Sequence, residues 1–406
     1  MPDHRIVPSA ALALLAPAVL VSEAHAVEPQ ITTSYGIEFV TVGDPGNAPY
    51  PGGGLMGSTD TIGRGSVGYE YRIAQYEVRT SEWMEFLNAL SVASNTTSLH
   101  VGLTWGATRD VTSADTYRLR EVAGSGDLPV LGISWRQAAV YANWLHNDKD
   151  TALDAFLSGA YDVSTFGTDE SGFFTDQPTR SEGARFWIPS LDEQLKAYYY
   201  DPSRHGENQP GWWQFANSSD SPPIVGLPSE GGQTNAGLYQ LAINGGGDQY
   251  NFENNHVGSY PEHVSPWGLL DTSGGATEWN EEIIREGPSG QGPYARGLKG
   301  SSLLFPTVGD QFTLAQADAI EWLGFWNPPG NGLGFGTGLR IAANVPSPGA
   351  TALCALVLVH NTRRTRHETP TQRTGPRIRN VKPGARVLRS RTRNGSRAPA
   401  PVTITA

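Results

Sequence analysis

The groups best placed to do chemistry in this chain are oxygen donors. From Gly268 to Glu281 it reads Gly-Leu-Leu-Asp-Thr-Ser-Gly-Gly-Ala-Thr-Glu-Trp-Asn-Glu. Carboxylates at Asp271 and Glu278 flank the Gly274-Gly275 pair, and Trp279 follows the second acid directly. Glycine tolerates the positive φ of a tight reversal, so the pair marks a turn. Its acids are either solvated at the rim or turned toward something they hold. Sulfur offers little, because Cys354 is the single cysteine among 406 residues and no internal disulfide can form. Ser134 and His146 with nearby acids have the residue types of a hydrolytic triad, but no nucleophile-elbow sequence surrounds Ser134.

These groups need elements to position them. Gly36–Val42 alternates like a strand, Asp44 to Gly54 is a loop on its Gly and Pro content, and Tyr69 to Val78 is a second strand candidate. Helical spacing follows, with Trp83, Phe86, Leu87 and Leu90 on one face, Thr80 or Ser81 as cap, and Glu82 and Glu85 near the positive end. Ser134 with Gln137, and Ser190 with Glu193, have capping-box spacing ahead of two further apolar stripes. From Asp201 to Pro266 turn residues dominate, interrupted by Trp212, Trp213 and Phe215. With 48 Gly, 29 Pro and 38% hydrophobic residues, the chain has enough apolar content for a core but favours turns.

Charge divides the chain. Residues 361–406 hold 12 Lys/Arg against the single acid Glu368, whereas the first 360 residues carry 17 Lys/Arg and 39 Asp/Glu, a net of −22. An acidic body argues against nucleic-acid binding by the folded part. At the N-terminus, Arg5, an apolar run from Val7 to Val21 and Ala24-His25-Ala26 read as an export signal over residues 1–26.

Five separated segments, in order, resemble the formylglycine-generating (sulfatase-modifying factor) family. They are Ile73-Ala74-Gln75-Tyr76-Glu77-Val78 with the following helix, Pro129–Trp135, Arg185–Ser190, the stretch through Glu278-Trp279, and Gly338-Leu339-Arg340-Ile341-Ala342 as closing strand. The resemblance implies a single large, loop-rich α+β domain related to C-type lectins, over residues 27–345, with bound Ca2+. By position it puts one calcium on Asp271, the carbonyls of Gly274 and Ala276, and Glu278. A second falls near Asn235 and Ala236, completed from Asp248 to Asn251. Calcium takes six to eight hard oxygens, and a glycine turn lets carbonyls converge. Trp279 reads as a core anchor.

Departures from the family bear on activity. Its enzymes bind copper through two cysteines, whose positions here fall near Phe305 and Asp310. Cuprous copper requires soft thiolates, so copper is not expected. An iron-dependent branch uses histidines, yet His100, His146, His205, His256 and His263 are scattered and contain no His-x-x-x-His pair. Trp322, Phe325 and Trp326 lie in a Trp/Gly/Pro-rich segment that could line a ligand groove, with core packing as the alternative.

Val345-Pro346-Ser347-Pro348-Gly349, an apolar run within 346–360 and Arg363-Arg364 resemble a PEP-CTERM sorting signal, which implies exosortase-type processing. The run is shorter than the roughly 20 residues that span a bilayer, and the basic tail 361–406 has a disordered composition. The sequence-level expectation is an exported, calcium-stabilised module without catalytic cysteines, meeting a glycan or protein at the cell surface. Two alternatives stand beside it: an oxidoreductase of the formylglycine-generating or nonheme-iron type with an unrecognised metal site, and a lectin-like carbohydrate binder.

Overall fold

Two-residue periodicity and one tight loop start the fold. The structure, a computed structural model, describes residues 29–54, 60–94, 107–113, 118–167, 169–170, 174–238, 256–284, 295–303, 316–317, 321–324 and 336–346. Strand β1 (Ile31–Ser34) turns through Tyr35 and Gly36, at φ 53 and 87, into β2 (Ile37–Val42). Two positive φ values are what a two-residue hairpin loop between twisted strands needs. β2 pairs with β3 (Tyr71–Ala74) and buries Phe39, Val40 and Val42.

Helix α1 (Thr80–Ser94) buries Trp83, Phe86, Leu87 and Leu90, the stripe expected from sequence. A short pair, β4 (Ala107–Arg109) and β5 (Leu119–Glu121), packs beside it. Helices α2 (Trp135–His146) and α4 (Leu191–Tyr199) both open on complete capping boxes, at Ser134/Gln137 and Ser190/Glu193. Ser134 is therefore a helix cap, which removes the triad reading. Between them lie α3 (Asp154–Leu157) and β6 (Phe186–Trp187). Where α1 meets α2, the ring of Phe86 lies 4.9 Å from Trp83 and 5.3 Å from Tyr141. Aromatic pairs at such distances contribute about 0.5–1.5 kcal/mol beyond area burial.

The described residues 201–238 and 256–266 are mostly turns, as their composition predicts, apart from the ribbon of β7 (Tyr200–Asp201) and β8 (Gly211–Trp212) and a 3-10 turn at Pro228–Glu230. Trp212 pins it, 5.5 Å from the Tyr50 ring and 5.2 Å from Tyr200. Next come β9 (Thr277–Ile284), β10 (Ala295–Lys299), β11 (Glu321–Gly324), β12 (Thr337–Gly338) and β13 (Ala342–Ala343). One sheet has the order β1-β2-β3-β13-β6, so the last strand inserts between two early ones. The other has the order β11-β10-β9-β12, with β12 parallel to β9.

Two strands differ from expectation for one reason. The Tyr69–Val78 candidate is a strand only over Tyr71–Ala74, and the closing strand is split into β12 and β13. Arg340 lies in that split and takes the carbonyls of Ala74 and Gln75, at 3.0 and 2.7 Å. The guanidinium thus replaces ladder partners at the point where β3 ends. Among the described residues no helix is long and apolar enough to cross a membrane. Residues 1–26, the tail 361–406 and all of 346–360 but Pro346 lie outside the described residues.

Candidate functional site

The glycine turn is gripped from several directions. Gly274 N donates to Ser301 O at 2.7 Å, and Leu303 N donates to Gly275 O at 2.9 Å. Gly275 N donates to Asn235 Oδ1 at 2.7 Å, and Ala276 N donates to Glu77 Oε1 at 2.6 Å. Gly274 and Gly275 have φ of 108 and 58. A Cβ on Gly275 would collide with the Glu77 carboxylate, and one on Gly274 with Asn235 Oδ1. Glycine is therefore demanded twice, by conformation and by close approach.

Beneath the turn lies Arg340, whose side chain is 0% exposed. Its Nη2 reaches Glu278 Oε1 at 2.8 Å and also donates to Leu270 O. The Tyr198 hydroxyl donates to Glu278 Oε2. Glu278 is thus held in a bidentate pair and linked through Arg340 to β3. Asp271, at φ 58, accepts from Gly258 N at 2.5 Å. Burial pushes its pKa up to about 6. Glu77 is buried, and its Oε2 has no hydrogen-bond partner among the described residues. Burial, reinforced by Glu278 and Asp271, raises the Glu77 pKa well above the usual carboxylate range. Of these three acids only Glu278 contacts the Arg340 guanidinium, whose charge also acts on Glu77 and Asp271.

The structure brings together the positions expected to form two separate calcium sites. Asn235 holds Gly275, and the backbone of Ala236 lies against Gly274. None of the described loop hydrogen bonds ends on the carbonyl of Gly274 or Ala276. Glu278 engages Arg340 and Tyr198, whereas Asp271 engages the Gly258 loop. Among the described residues, no group of three or more His, Cys, Asp and Glu side chains is arranged to hold a metal. Residues 248–251, Phe305, Asp310, Phe325 and Trp326 lie outside the described residues, while Trp322 sits on β11 opposite Gly297. Trp279 is buried and donates to Ile133 O at 2.8 Å, a core anchor as expected. His146 accepts from Arg185 N, and its pKa is lowered by burial and by the Arg185 charge.

A second charged cluster was not anticipated from sequence. Arg180 bridges Glu193, the N3 residue of α4, and Glu281 on β9, at 2.9 and 3.2 Å. Tyr161 donates to Glu281 at 2.7 Å, and burial pushes the Glu281 pKa up to about 7. Arg180 lies in a polar loop and had no sequence signal. Glu77 and Arg340 had one: each is a charge inside an apolar run.

Capped helices, small sheets and long gripped loops define a loop-rich α+β domain. The sequence profile of the sulfatase-modifying factor enzyme 1-like domain matches residues 51–319, and the chain belongs to that family. Among solved structures it is similar to CarF, at 18% identity and a TM-score of 0.42 over 76% of this chain and 99% of that one. It is also similar to Treponema denticola variable protein 1, at 14% identity and a TM-score of 0.40 over 79% of this chain and 100% of that one. No curated protein matches the sequence.

Proposed function

We propose that this chain is an exported, calcium-stabilised module of the sulfatase-modifying factor fold that binds or supports a surface glycan or protein without copper-thiol chemistry. The observation that carries the calcium reading is the charge around the turn. Arg340 pairs with Glu278 alone, Glu77 and Asp271 are further acids at the same turn, and a buried Glu77 oxygen has no hydrogen-bond partner among the described residues. Uncompensated buried charge is costly, and a divalent cation at the turn would offset it. The carbonyls of Gly274 and Ala276, Glu278 and the free oxygen of Glu77 would hold the ion. A carboxylate has about four lone-pair sites, so Glu278 can accept from Arg340 and still ligate. Asp271 would contribute charge from the adjoining loop.

The chemistry calcium supplies here is structural, fixing the loops that meet at the turn. Against copper stands the ligand type: the single thiol, Cys354, lies beyond the matched residues 51–319. Export rests on the signal-like first 26 residues. Elemental analysis of the purified full chain, with melting recorded before and after chelation, tests the reading. Stoichiometric calcium is expected, with a melting temperature that falls on chelation and in Glu278→Ala. Stoichiometric copper or iron would instead favour an oxidase, and no bound metal would leave only a turn.

A further inference from the structure

The Arg180 cluster opens onto a cavity of about 400 Å³ whose lining includes Tyr69, Arg180, Glu182, Trp187, Ser190 and Glu281. Small-molecule sites begin at about this size and combine aromatic walls with a few fixed polar groups. Trp187 and Glu281 are buried, whereas Tyr69, at 46% exposure, and Glu182 stand at the mouth. The polar groups are fixed before any ligand arrives. Arg180 Nη1 donates to Glu193 and Glu281, and Nη2 donates to Glu193 and the Tyr69 hydroxyl. Such preorganisation lowers the entropic cost of binding.

The charges choose the ligand. Both terminal nitrogens of Arg180 are committed to carboxylates, so little positive potential is left for an anion. Arg180 also lies 4.2 Å from the Trp187 ring centroid and 5.9 Å from that of Tyr69. The walls therefore already accommodate one cation between aromatic rings and carboxylates. Against Arg180, and the buried Arg296 behind Glu281, stand three carboxylates, Glu193, Glu281 and Glu182. Glu281 Oε2 accepts one bond, the 3.2 Å contact from Arg180, and Glu182 has no ion-pair partner among the described residues. A cleft with an excess of one sign concentrates the opposite sign.

We infer that this cavity binds a small organic cation, an aliphatic primary ammonium, with its charge between Glu281 and Glu182 and its alkyl chain along Tyr69. This site is independent of the calcium reading. The ammonium donates three hydrogen bonds, which the carboxylates and the hydroxyl-bearing rim can accept.

Calorimetric titration of the full chain with n-butylammonium chloride tests it at about pH 8.5, above the Glu281 pKa of about 7, with sodium butyrate and methyl glucoside as comparison probes at constant ionic strength. Saturable binding of the ammonium alone is expected, unchanged by chelator. Glu182→Gln should weaken it at least about threefold, and Tyr69→Ala more, while Glu182→Gln leaves the melting temperature within a degree or so, as for other exposed positions. Three results would overturn the inference: no saturable ammonium binding, equal binding of butyrate or the glucoside, or full affinity in Glu182→Gln. Survival of binding after chelation separates its fate from that of the calcium proposal.

Discussion

Arg340 and Arg180 are two answers to the same electrostatic situation, a guanidinium near more than one carboxylate. Arg340 is sealed, at 0% side-chain exposure, and spends its remaining donors on the carbonyls of Ala74, Gln75 and Leu270. Arg180 keeps 20% of its side chain exposed and spends its donors on side chains beside a cavity. The sealed cluster ties backbone to backbone across both sheets. The open one fixes side chains at a surface. Burial thus separates an arrangement that holds the fold from one that can meet a ligand, although residue types are nearly the same.

The largest expected effect breaks the sealed pair. Arg340→Met leaves Glu278 buried with no cation, and removing one partner of such a pair costs about 3–5 kcal/mol. Denaturant unfolding should show this, and Arg340→Met with Glu278→Gln should recover part. Arg180→Met should cost less, because Arg180 is itself partly exposed and Glu281 and Glu193, though buried, keep Tyr161 and Trp187 as donors. Equal losses in the two single variants would remove the distinction between sealed and open.

Titration sharpens the comparison next. Glu281 is raised from 4.5 to about 7 in the folded protein. The folded state therefore binds more protons than the unfolded state between these values, and stability falls as pH rises through that window. The full contribution is on the order of 3 kcal/mol. Glu281→Gln removes the titration, so its stability should vary less between about pH 4 and about pH 8, which span the window. An unchanged slope in the variant would assign the pH dependence elsewhere, with Asp271 the next group to examine.

A smaller effect tests the grip on the turn. Gly275→Ala places a methyl against the Glu77 carboxylate. Overpacking of this kind costs about 1–3 kcal/mol, and the same methyl on Gly36, where nothing lies within 4 Å, should show only the backbone cost of its positive φ. A loss at Gly275 no larger than at Gly36 would mean that Glu77 moves aside freely.

What could be read from sequence follows the range of the interactions. Both capping boxes, the α1 stripe and β2 were legible because their determinants lie within a few residues. The glycine turn was legible as a turn, but its partners Glu77 and Asn235 come from 199 and 40 residues away. Arg340 sits between Leu339 and Ile341, and Glu77 between Tyr76 and Val78. A charge in such a run announces a buried partner without naming it. Arg180 lies among Pro, Thr and Ser, so its composition looked like any solvated loop. Its 101-residue separation from Glu281 left the second cluster visible only after folding.

Ser190 offers the finest test, because it joins local capping to the open cluster. Its hydroxyl accepts from Glu193 N at 3.1 Å, while Glu193 Oε2 accepts from Ser190 N at 2.7 Å. The same Glu193 carboxylate holds Arg180 and Trp187 Nε1. Ser190→Ala removes one half of the box and should cost about 1 kcal/mol. Glu193 retains its other partners, so Arg180 should stay in place and ammonium binding should change little. Ser190→Thr, which preserves the cap, should restore the stability. If Ser190→Ala instead abolished ammonium binding at unchanged stability, the hydroxyl would belong to the ligand site and not to the helix start.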